Sequence, residues 1–124
     1  MTIMRCRPLL QGLCLLLGMS GCAKAPSVTV AGGDAQRGAS AIARYGCTGC
    51  HAIPGVTGHA SNVGPPLDGI AKRTYVGGVL ANTPDNMVHW LRDPQGADPG
   101  TAMPNVGVTE ADAKDIAAYL YTLE

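Results

Sequence analysis

The chain contains few of the residues that usually build a large apolar core. Among its 124 residues there is no phenylalanine, and aromatic side chains make up 4% of the total. The formal net charge is zero, so the strongly basic surface of a nucleic-acid-binding protein is not expected. A domain of this size has a thin core of its own, which a buried apolar cofactor would complete.

The sequence also lacks an apolar run long enough to predict a membrane-spanning helix. The apolar segment 9–19 has eleven residues and follows two arginines, which is typical of a secretory signal. The residues Leu17-Gly18-Met19-Ser20-Gly21-Cys22 then resemble a lipobox, where cleavage precedes a cysteine that accepts diacylglycerol. Cleavage after Ala25, which would give a soluble exported protein, and retention as an uncleaved anchor are the alternatives.

We therefore expect three parts in the chain. These are a lipoprotein-type signal peptide at 1–22 with Cys22 lipidated, a flexible tether at 23–33 and one domain at 34–124. Without the signal, seven basic residues face nine acidic ones, a net charge of −2. The expected location is the periplasmic side of a bacterial membrane, with a lipid anchor.

Capping residues predict the helices of the domain. Asp34, Thr83 and Thr109 each stand where a side chain can accept from the first turn, and Pro84 suits the first helical position. Thr109 with Asp112 forms a variant of the capping box. The predicted helices are 34–44, 83–92 and 109–123, with a short one at 67–73. No segment alternates over strand length, so we predict an all-α fold with long Gly/Pro loops at 52–66 and 93–108.

The most specific motif is Cys47-Thr48-Gly49-Cys50-His51. A Cys-x-x-Cys-His run is the attachment signature of c-type haem, in which both thiols bond to the porphyrin and the histidine lies under the iron. Three other roles for the two cysteines were considered. A zinc site needs a second pair of ligands at matching spacing, and a thioredoxin-like dithiol needs a βαβ context. A structural disulfide is chemically possible in an exported protein, but it would leave His51 unexplained.

A second axial ligand for the iron must come from the other side of the porphyrin. Met103 is our first choice, because it lies 52 residues after His51 in a loop between two predicted helices. Met87, His59 and His89 stay open as alternatives on this reasoning alone. Met87 and His89 lie two positions apart on a predicted helix, so they cannot both face the same group.

The domain resembles the class I cytochromes c over residues 34–124. The matching stretches are Tyr45-Gly-Cys-Thr-Gly-Cys-His51, Val63-Gly-Pro-Pro-Leu67, Asn82-Thr-Pro-Asp-Asn-Met87, Trp90-Leu-Arg-Asp-Pro94, Ala102-Met-Pro104 and Asp115-Ile-Ala-Ala-Tyr-Leu120. The chain looks most like the monohaem modules that serve haem-copper oxidases, including those fused to oxidase subunit II. The resemblance implies three to five helices wrapped around one haem c, bound covalently through Cys47 and Cys50.

The same resemblance implies roles for individual residues. His51 and Met103 would be the axial ligands, and Pro65 would accept a hydrogen bond from the His51 ring. Leu67 would pack against the porphyrin. Trp90 and Arg73 would donate to a buried propionate, with Asn82 and Thr83 as helpers. Gly38 and Ile42 would cross the last helix near Ile116, Tyr119 and Leu120.

The implied function is one-electron transfer rather than enzyme catalysis, with no small-molecule substrate. We expect a carrier that passes electrons from a quinol-oxidising complex to a membrane-bound terminal oxidase. An electron-accepting haem subunit of a periplasmic dehydrogenase is the alternative, and a ligand-sensing haem protein with a displaceable Met103 is a third hypothesis.

Overall fold

The computed structural model describes residues 27–59 and 63–124. The predicted signal peptide and Cys22 lie outside the described residues. The described part forms the helices α1 (Ala35–Arg44), α2 (Pro84–Arg92), α3 (Pro94–Ala97) and α4 (Glu110–Leu120). It also forms 3-10 turns at Cys47–Gly49 and Ile70–Lys72, and the antiparallel strands β1 (Tyr75–Val76) and β2 (Leu80–Ala81). The mostly helical fold confirms the predicted class.

The predicted caps begin the three longer helices. The Asp34 side chain accepts from Arg37 N at 2.7 Å, and Thr83 Oγ1 accepts from Asn86 N at 3.3 Å. Thr109 Oγ1 likewise accepts from Asp112 N at 3.2 Å. Each bond satisfies a first-turn N–H that has no partner inside the helix. The helices therefore start within a residue of their predicted positions, and α4 ends three residues earlier than predicted, at Leu120.

Two short elements differ from the sequence expectation. The loop predicted at 93–108 contains α3, whose first N–H groups are capped by Asp93 Oδ1, 3.0 Å from Gly96 N. The strands β1 and β2 are two residues each, too short to leave an alternating pattern in the sequence. They are joined through Gly77 and Gly78, whose φ angles of 60° and 78° permit a reversal that other residues adopt only with strain.

Helices α1 and α4 make the most extensive helix contact of the described fold. A β-carbon on Gly38 would collide with the carbonyl oxygen of Asp115 and would lie 2.9 Å from Tyr119 Cβ. The missing side chain therefore lets the two backbones touch, as the resemblance implied. Next to this contact Ile42 and Ile116 are each 1% exposed, so the crossing is a dry apolar layer.

An ion pair closes the edge of this crossing. Asp115 accepts from Arg37 Nε at 2.7 Å, from Arg37 Nη2 at 2.8 Å and from the backbone N of Asp34 at 2.8 Å. The hydrogen bonds from Arg37, helped by the one from Asp34 N, lower the pKa of Asp115 below its ordinary value of 3.8, although burial opposes the shift. One carboxylate thus joins the start of α1 to the middle of α4.

The packed part of the chain includes residues from the segment predicted as tether. Val30 is 6% exposed and belongs to the apolar core, and Val30 O accepts from Gly33 N at 3.1 Å. A β-carbon on Gly33 would collide with the carbonyl oxygen of Lys114 on α4. The chain therefore contacts the domain four residues before the predicted boundary at Asp34.

Candidate haem site

A cleft of about 520 Å³ lies between the turn at Cys47–Gly49, helix α2 and the loop after α3. This volume falls in the range of sites that bind cofactors and other small ligands. Its lining is mostly apolar, and it includes Leu67, Met87, Trp90 and Met103. Among the described residues that line the cleft, only Arg73 carries a formal charge at neutral pH.

The cysteine–histidine motif forms one wall of the cleft. Cys47, Cys50 and His51 all line it, and the two thiols are not joined in a disulfide. The 3-10 turn between the cysteines brings both sulfur atoms to the same wall, since Cys50 N and His51 N both donate to Cys47 O, at 3.2 and 3.0 Å. The motif is therefore folded with its three reactive side chains directed to one space.

The orientation of His51 is fixed by the loop that follows. Nδ1 lies 2.7 Å from Pro65 O, so the ring donates its Nδ1 hydrogen to this carbonyl and Nε2 is the nitrogen left for a metal bond. Two backbone bonds hold that loop against the motif, from Gly64 N to Cys50 O at 2.8 Å and from Leu67 N to Ala52 O at 2.9 Å.

Two glycines shape the site, and neither was given a role from the sequence. A β-carbon on Gly64 would lie 2.5 to 2.9 Å from three atoms of the His51 ring, so only glycine lets the loop pass so close. A β-carbon on Gly77 would collide with the six-membered ring of Trp90. Gly64 stands before Pro65-Pro66 and Gly77 before Gly78. The Gly-Pro and Gly-Gly pairs predict turns at these positions, but they do not predict which aromatic ring each turn covers.

The structure separates the alternative ligands to the iron. Met103 and Met87 both line the cleft, whereas His59 and His89 are exposed and do not line it. Met87 is 1% exposed and belongs to the apolar core on α2. Met103 lies in a loop, where its backbone N donates to Thr101 Oγ1 at 3.2 Å. Met103 is only partly buried and packs at the edge of that core, so its thioether is the less enclosed of the two.

The donors expected for a propionate also reach the cleft. Arg73 Nη2 donates to Pro66 O and Asp68 O, which braces the loop below the motif and leaves Nε and Nη1 for another acceptor. Within the described residues, the indole N–H of Trp90 has no protein acceptor. Asn82 is different, because its Nδ2 donates to Ile70 O and Arg73 O, both at 2.8 Å. Both of its hydrogens are in use, so the helper role expected for Asn82 does not match this geometry.

A hydrogen-bonded cluster joins the motif to the start of α4. Tyr45 Oη, two residues before Cys47, donates to Asp112 Oδ2 at 2.8 Å and accepts from Thr109 N at 3.4 Å. Arg44 Nη2 and Thr109 Oγ1 also donate to the Asp112 carboxylate, at 2.6 and 2.9 Å. The bond from Tyr45, followed by those from Thr109 and Arg44, lowers the pKa of Asp112. The predicted capping box is thus altered, since Tyr45 takes the place of the Asp112 side chain at the Thr109 amide.

The geometry disfavours the other roles considered for the cysteines. In the described part of the chain, no three His, Cys, Asp or Glu side chains converge as a metal-binding cluster, as a zinc site would need. Burial raises the pKa of the Cys47 thiol, whereas a redox dithiol depends on a lowered thiol pKa. The apolar lining, the paired thiols beside an oriented imidazole and the single cation among the described lining residues together fit a covalently bound haem.

An all-α domain with such a motif at an apolar cleft defines a c-type haem protein. A cytochrome c family model matches residues 35–124. The chain therefore belongs to the cytochrome c family, whose members bind haem c covalently and transfer electrons.

Similar proteins agree with this family. The chain is 34% identical over 108 residues to cytochrome c oxidase subunit 2 of Alkalihalophilus pseudofirmus, which covers 86% of this chain and 30% of that protein. It is 29% identical over 106 residues to the subunit of the same name from Bacillus sp. PS3, covering 82% of this chain and 29% of that protein. The chain thus spans about a third of the length of these curated relatives.

A solved structure shows the same fold. Cytochrome c2 from Rhodobacter sphaeroides aligns with a TM-score of 0.56 and 25% identity, covering 73% of this chain and 96% of that one. Cytochrome c domains are typically exported. None of the helices formed by residues 27–59 and 63–124 is long and apolar enough to cross a membrane.

Proposed function

We propose that this protein carries single electrons from a quinol-oxidising complex to a membrane-bound terminal oxidase. The observation that carries this proposal is the similarity to cytochrome c oxidase subunit 2, which extends over 86% of this chain. The chain corresponds to only 30% of that subunit, so the shared part is the cytochrome c domain and not a whole oxidase subunit. A cytochrome c domain of this kind fits delivery of electrons to such an oxidase.

One haem c, bonded to Cys47 and Cys50, is the proposed redox group. When bound, it supplies an iron that accepts and releases one electron. His51 and Met103 are the residues that would hold the iron, and an imidazole paired with a thioether would favour the reduced iron relative to two imidazoles and so raise the potential. The 2.7 Å bond from His51 Nδ1 to Pro65 O supports this assignment, because it holds the ring in one tautomer and orientation.

The remaining cleft residues have proposed roles in keeping the site closed. Leu67 packs beside the motif, and the apolar lining excludes water, which limits the reorganisation of solvent on electron transfer. Trp90 N–H and the free guanidinium hydrogens of Arg73 are the proposed donors to negatively charged propionates. Held by both His51 and Met103, the iron would not bind oxygen or peroxide without losing one of these two residues.

We further propose that the protein is exported and held on the periplasmic side of a bacterial membrane by a lipid on Cys22. The lipobox-like residues before Cys22 support this. Because Val30 is buried in the domain, the proposed tether would end before Val30 rather than at residue 33. In membrane fractionation, the wild-type protein should sediment with membranes and the Cys22→Ser variant should not. Equal sedimentation of both would contradict the lipid anchor.

Visible spectra of the exported protein test the ligand pair. We expect sharp bands in the reduced state, a methionine–iron charge-transfer band in the oxidised state and no change with CO. Met103→Leu should keep the covalent haem, lose the charge-transfer band and bind CO, whereas the matched variant Met87→Leu should behave as the wild type. Loss of the band in Met87→Leu alone would move the ligand to Met87.

Oxidation by isolated terminal oxidase tests the partner. Reduced protein should be oxidised in the presence of the oxidase and oxygen, and the reaction should stop with cyanide. If the protein exchanges electrons with small reagents but not with any terminal oxidase, the proposed partner is wrong. Co-purification with a large dehydrogenase chain would then indicate the alternative role.

A further inference from the structure

The exposed apolar side chains of the described residues are concentrated at the mouth of the cleft. Five large apolar residues are exposed: Val28, Val63, Tyr75, Val79 and Val106. Three of them line the cleft, and Val79 directly follows the lining residues Gly77 and Gly78. Only Val28 lies elsewhere in the chain. Clustered exposure of this kind marks a binding surface, whereas single exposed apolar residues do not.

The segments that carry these four residues contain no formal charge. No Asp, Glu, Lys or Arg occurs in the segments 45–67, 74–84 and 99–108. All five ion pairs formed by the described residues involve α1, α2, α4 or Asp34. The one charged lining residue, Arg73, has its Nη2 engaged by two backbone carbonyls. We call the surface formed by Tyr75, Val79 and Val106 around the cleft the neutral rim.

Resting on the proposed electron-transfer function, we propose that the neutral rim is the docking surface for the redox partner, and that the partner meets it with an uncharged, apolar patch of its own. We choose an uncharged, apolar partner patch because of charge complementarity. A partner patch bearing several charges would lose their hydration against the rim and find no opposite charges there. An apolar patch gains from covering the three exposed side chains of the rim, and electron-transfer complexes are small, often below about 1,200 Å² of buried surface.

Such docking has a kinetic signature. Electrostatically steered association gains about ten- to a thousandfold in rate and loses it as salt rises. Association at the neutral rim has little steering to lose, so the rate should change less than about twofold between roughly 10 and 200 mM salt. At about 10 mM salt the Debye length is about 30 Å, so the net charge of the whole domain still contributes, and the effect of the rim is isolated by comparing two variants of equal net charge.

The first part of the test uses two small redox reagents on the holoprotein, anionic hexacyanoferrate(III) and cationic tris(phenanthroline)cobalt(III). Stopped-flow rate constants for both should depend weakly on salt. The variant Val79→Asp should make the cobalt reaction faster and the ferricyanide reaction slower at low salt. Val28→Asp is the matched control, since Val28 is 44% exposed and Val79 49%, and it should change neither rate. Both variants carry the same haem, so any charge on the haem cancels in the comparison.

The second part measures oxidation of the reduced holoprotein by terminal-oxidase membranes over the same salt range. Val79→Asp should lower kcat/KM about tenfold, because it places an unpaired charge in an apolar contact. Val28→Asp should leave it within about twofold. A steep salt dependence, or equal effects of the two variants, would overturn the neutral rim as the docking surface. If the membranes never oxidise the protein, the proposal of a terminal oxidase as partner is wrong. The docking surface is still tested in that case, because a steep salt dependence of the reactions with the small reagents would contradict the neutral rim.

Discussion

In the α1–α4 crossing, backbone and side chains meet directly, whereas the walls of the cleft face one another across about 520 Å³. The crossing combines the Gly38 contact and the Asp115–Arg37 ion pair with the buried pair Ile42 and Ile116, which also line the cleft. The cleft walls are made largely of loops that hold one another by backbone hydrogen bonds. The comparison indicates that the crossing is stabilised by the chain itself, and that the cleft needs a bound group to complete its packing.

Removing both attachment thiols is expected to have the largest effect, because the cleft should lose its bound group while the α1–α4 crossing keeps its own contacts. In the double variant Cys47→Ala and Cys50→Ala, no haem should remain attached after denaturation. The cleft loops should lose most of their protection from amide hydrogen exchange, while α1 and α4 keep more of theirs. Thr48→Ser, between the two cysteines, should keep the haem. Equal loss of protection in both regions would show that the crossing also depends on the haem.

Gly38→Ala tests the crossing from the other side. Alanine favours a helix over glycine by about 1 kcal/mol, so helix propensity alone predicts a more stable protein. The collision of the new β-carbon with the Asp115 carbonyl should cost more, since overpacking against a rigid neighbour costs about 1–3 kcal/mol. We expect a net loss of stability in urea unfolding. Ala43→Gly, at an exposed position of α1, is the control for propensity. A stabilised Gly38→Ala protein would show that the helices can separate without cost.

Asp115→Asn tests the ion pair through pH. The pKa of Asp115 is lowered in the folded protein, chiefly by Arg37, so its contribution to stability is present above the ordinary aspartate value of 3.8 and is lost as pH falls below it. The variant should be less stable at pH 7 and should show a shallower loss of stability in acid. Arg37 is 64% exposed, so the effect should be smaller than that of Gly38→Ala. Glu124→Gln should leave the acid limb unchanged.

Tyr45→Phe should give the smallest effect. It tests the hydrogen bond from Tyr45 to Asp112, which joins the cysteine–histidine motif to the start of α4. The Tyr45 hydroxyl is the first cause of the lowered pKa of Asp112, so this pKa should rise in the variant, as carboxyl NMR titration can measure. Above about pH 4, where Asp112 is ionised, the variant should be slightly less stable than the wild type. At lower pH, where Asp112 is protonated, the two proteins should be equally stable. Tyr75→Phe, at an exposed tyrosine, is the control. An unchanged Asp112 pKa would contradict the bond.

Elements determined by neighbouring residues could be predicted well. The caps at Asp34, Thr83 and Thr109 each act over three positions, and the structure places all three where the sequence did. Helix α3 lies in the segment predicted as a loop although Asp93-Pro94 is a local cap signal, because a proline just after a helix is also typical of the end of that helix. The strands β1 and β2 are too short to leave an alternating pattern, and the pair Gly77-Gly78 between them predicts only a turn.

Contacts between distant residues could not be predicted from the residues alone. Tyr45 and Asp112 lie 67 positions apart, and nothing in either segment indicates that a tyrosine would replace one half of the capping box. The same holds for Gly64 against His51 and Gly77 against Trp90, where the close approach depends on the path of a whole loop. The resemblance to a known family supplied the Pro65 contact and the identity of the helix that crosses Gly38, which local patterns do not contain.

The sequence by itself determined the chemistry of attachment and the starts of the helices. A Cys-x-x-Cys-His motif needs only two residues between its thiols, and a helix cap needs only its first turn, so both are complete within a few positions. The tertiary structure decided which carbonyl orients His51, which thioethers line the cleft and where the uncharged loops come together. These depend on the packing of segments up to 81 positions apart, as between Asp34 and Asp115. Such packing is fixed by how all the apolar faces are buried at once.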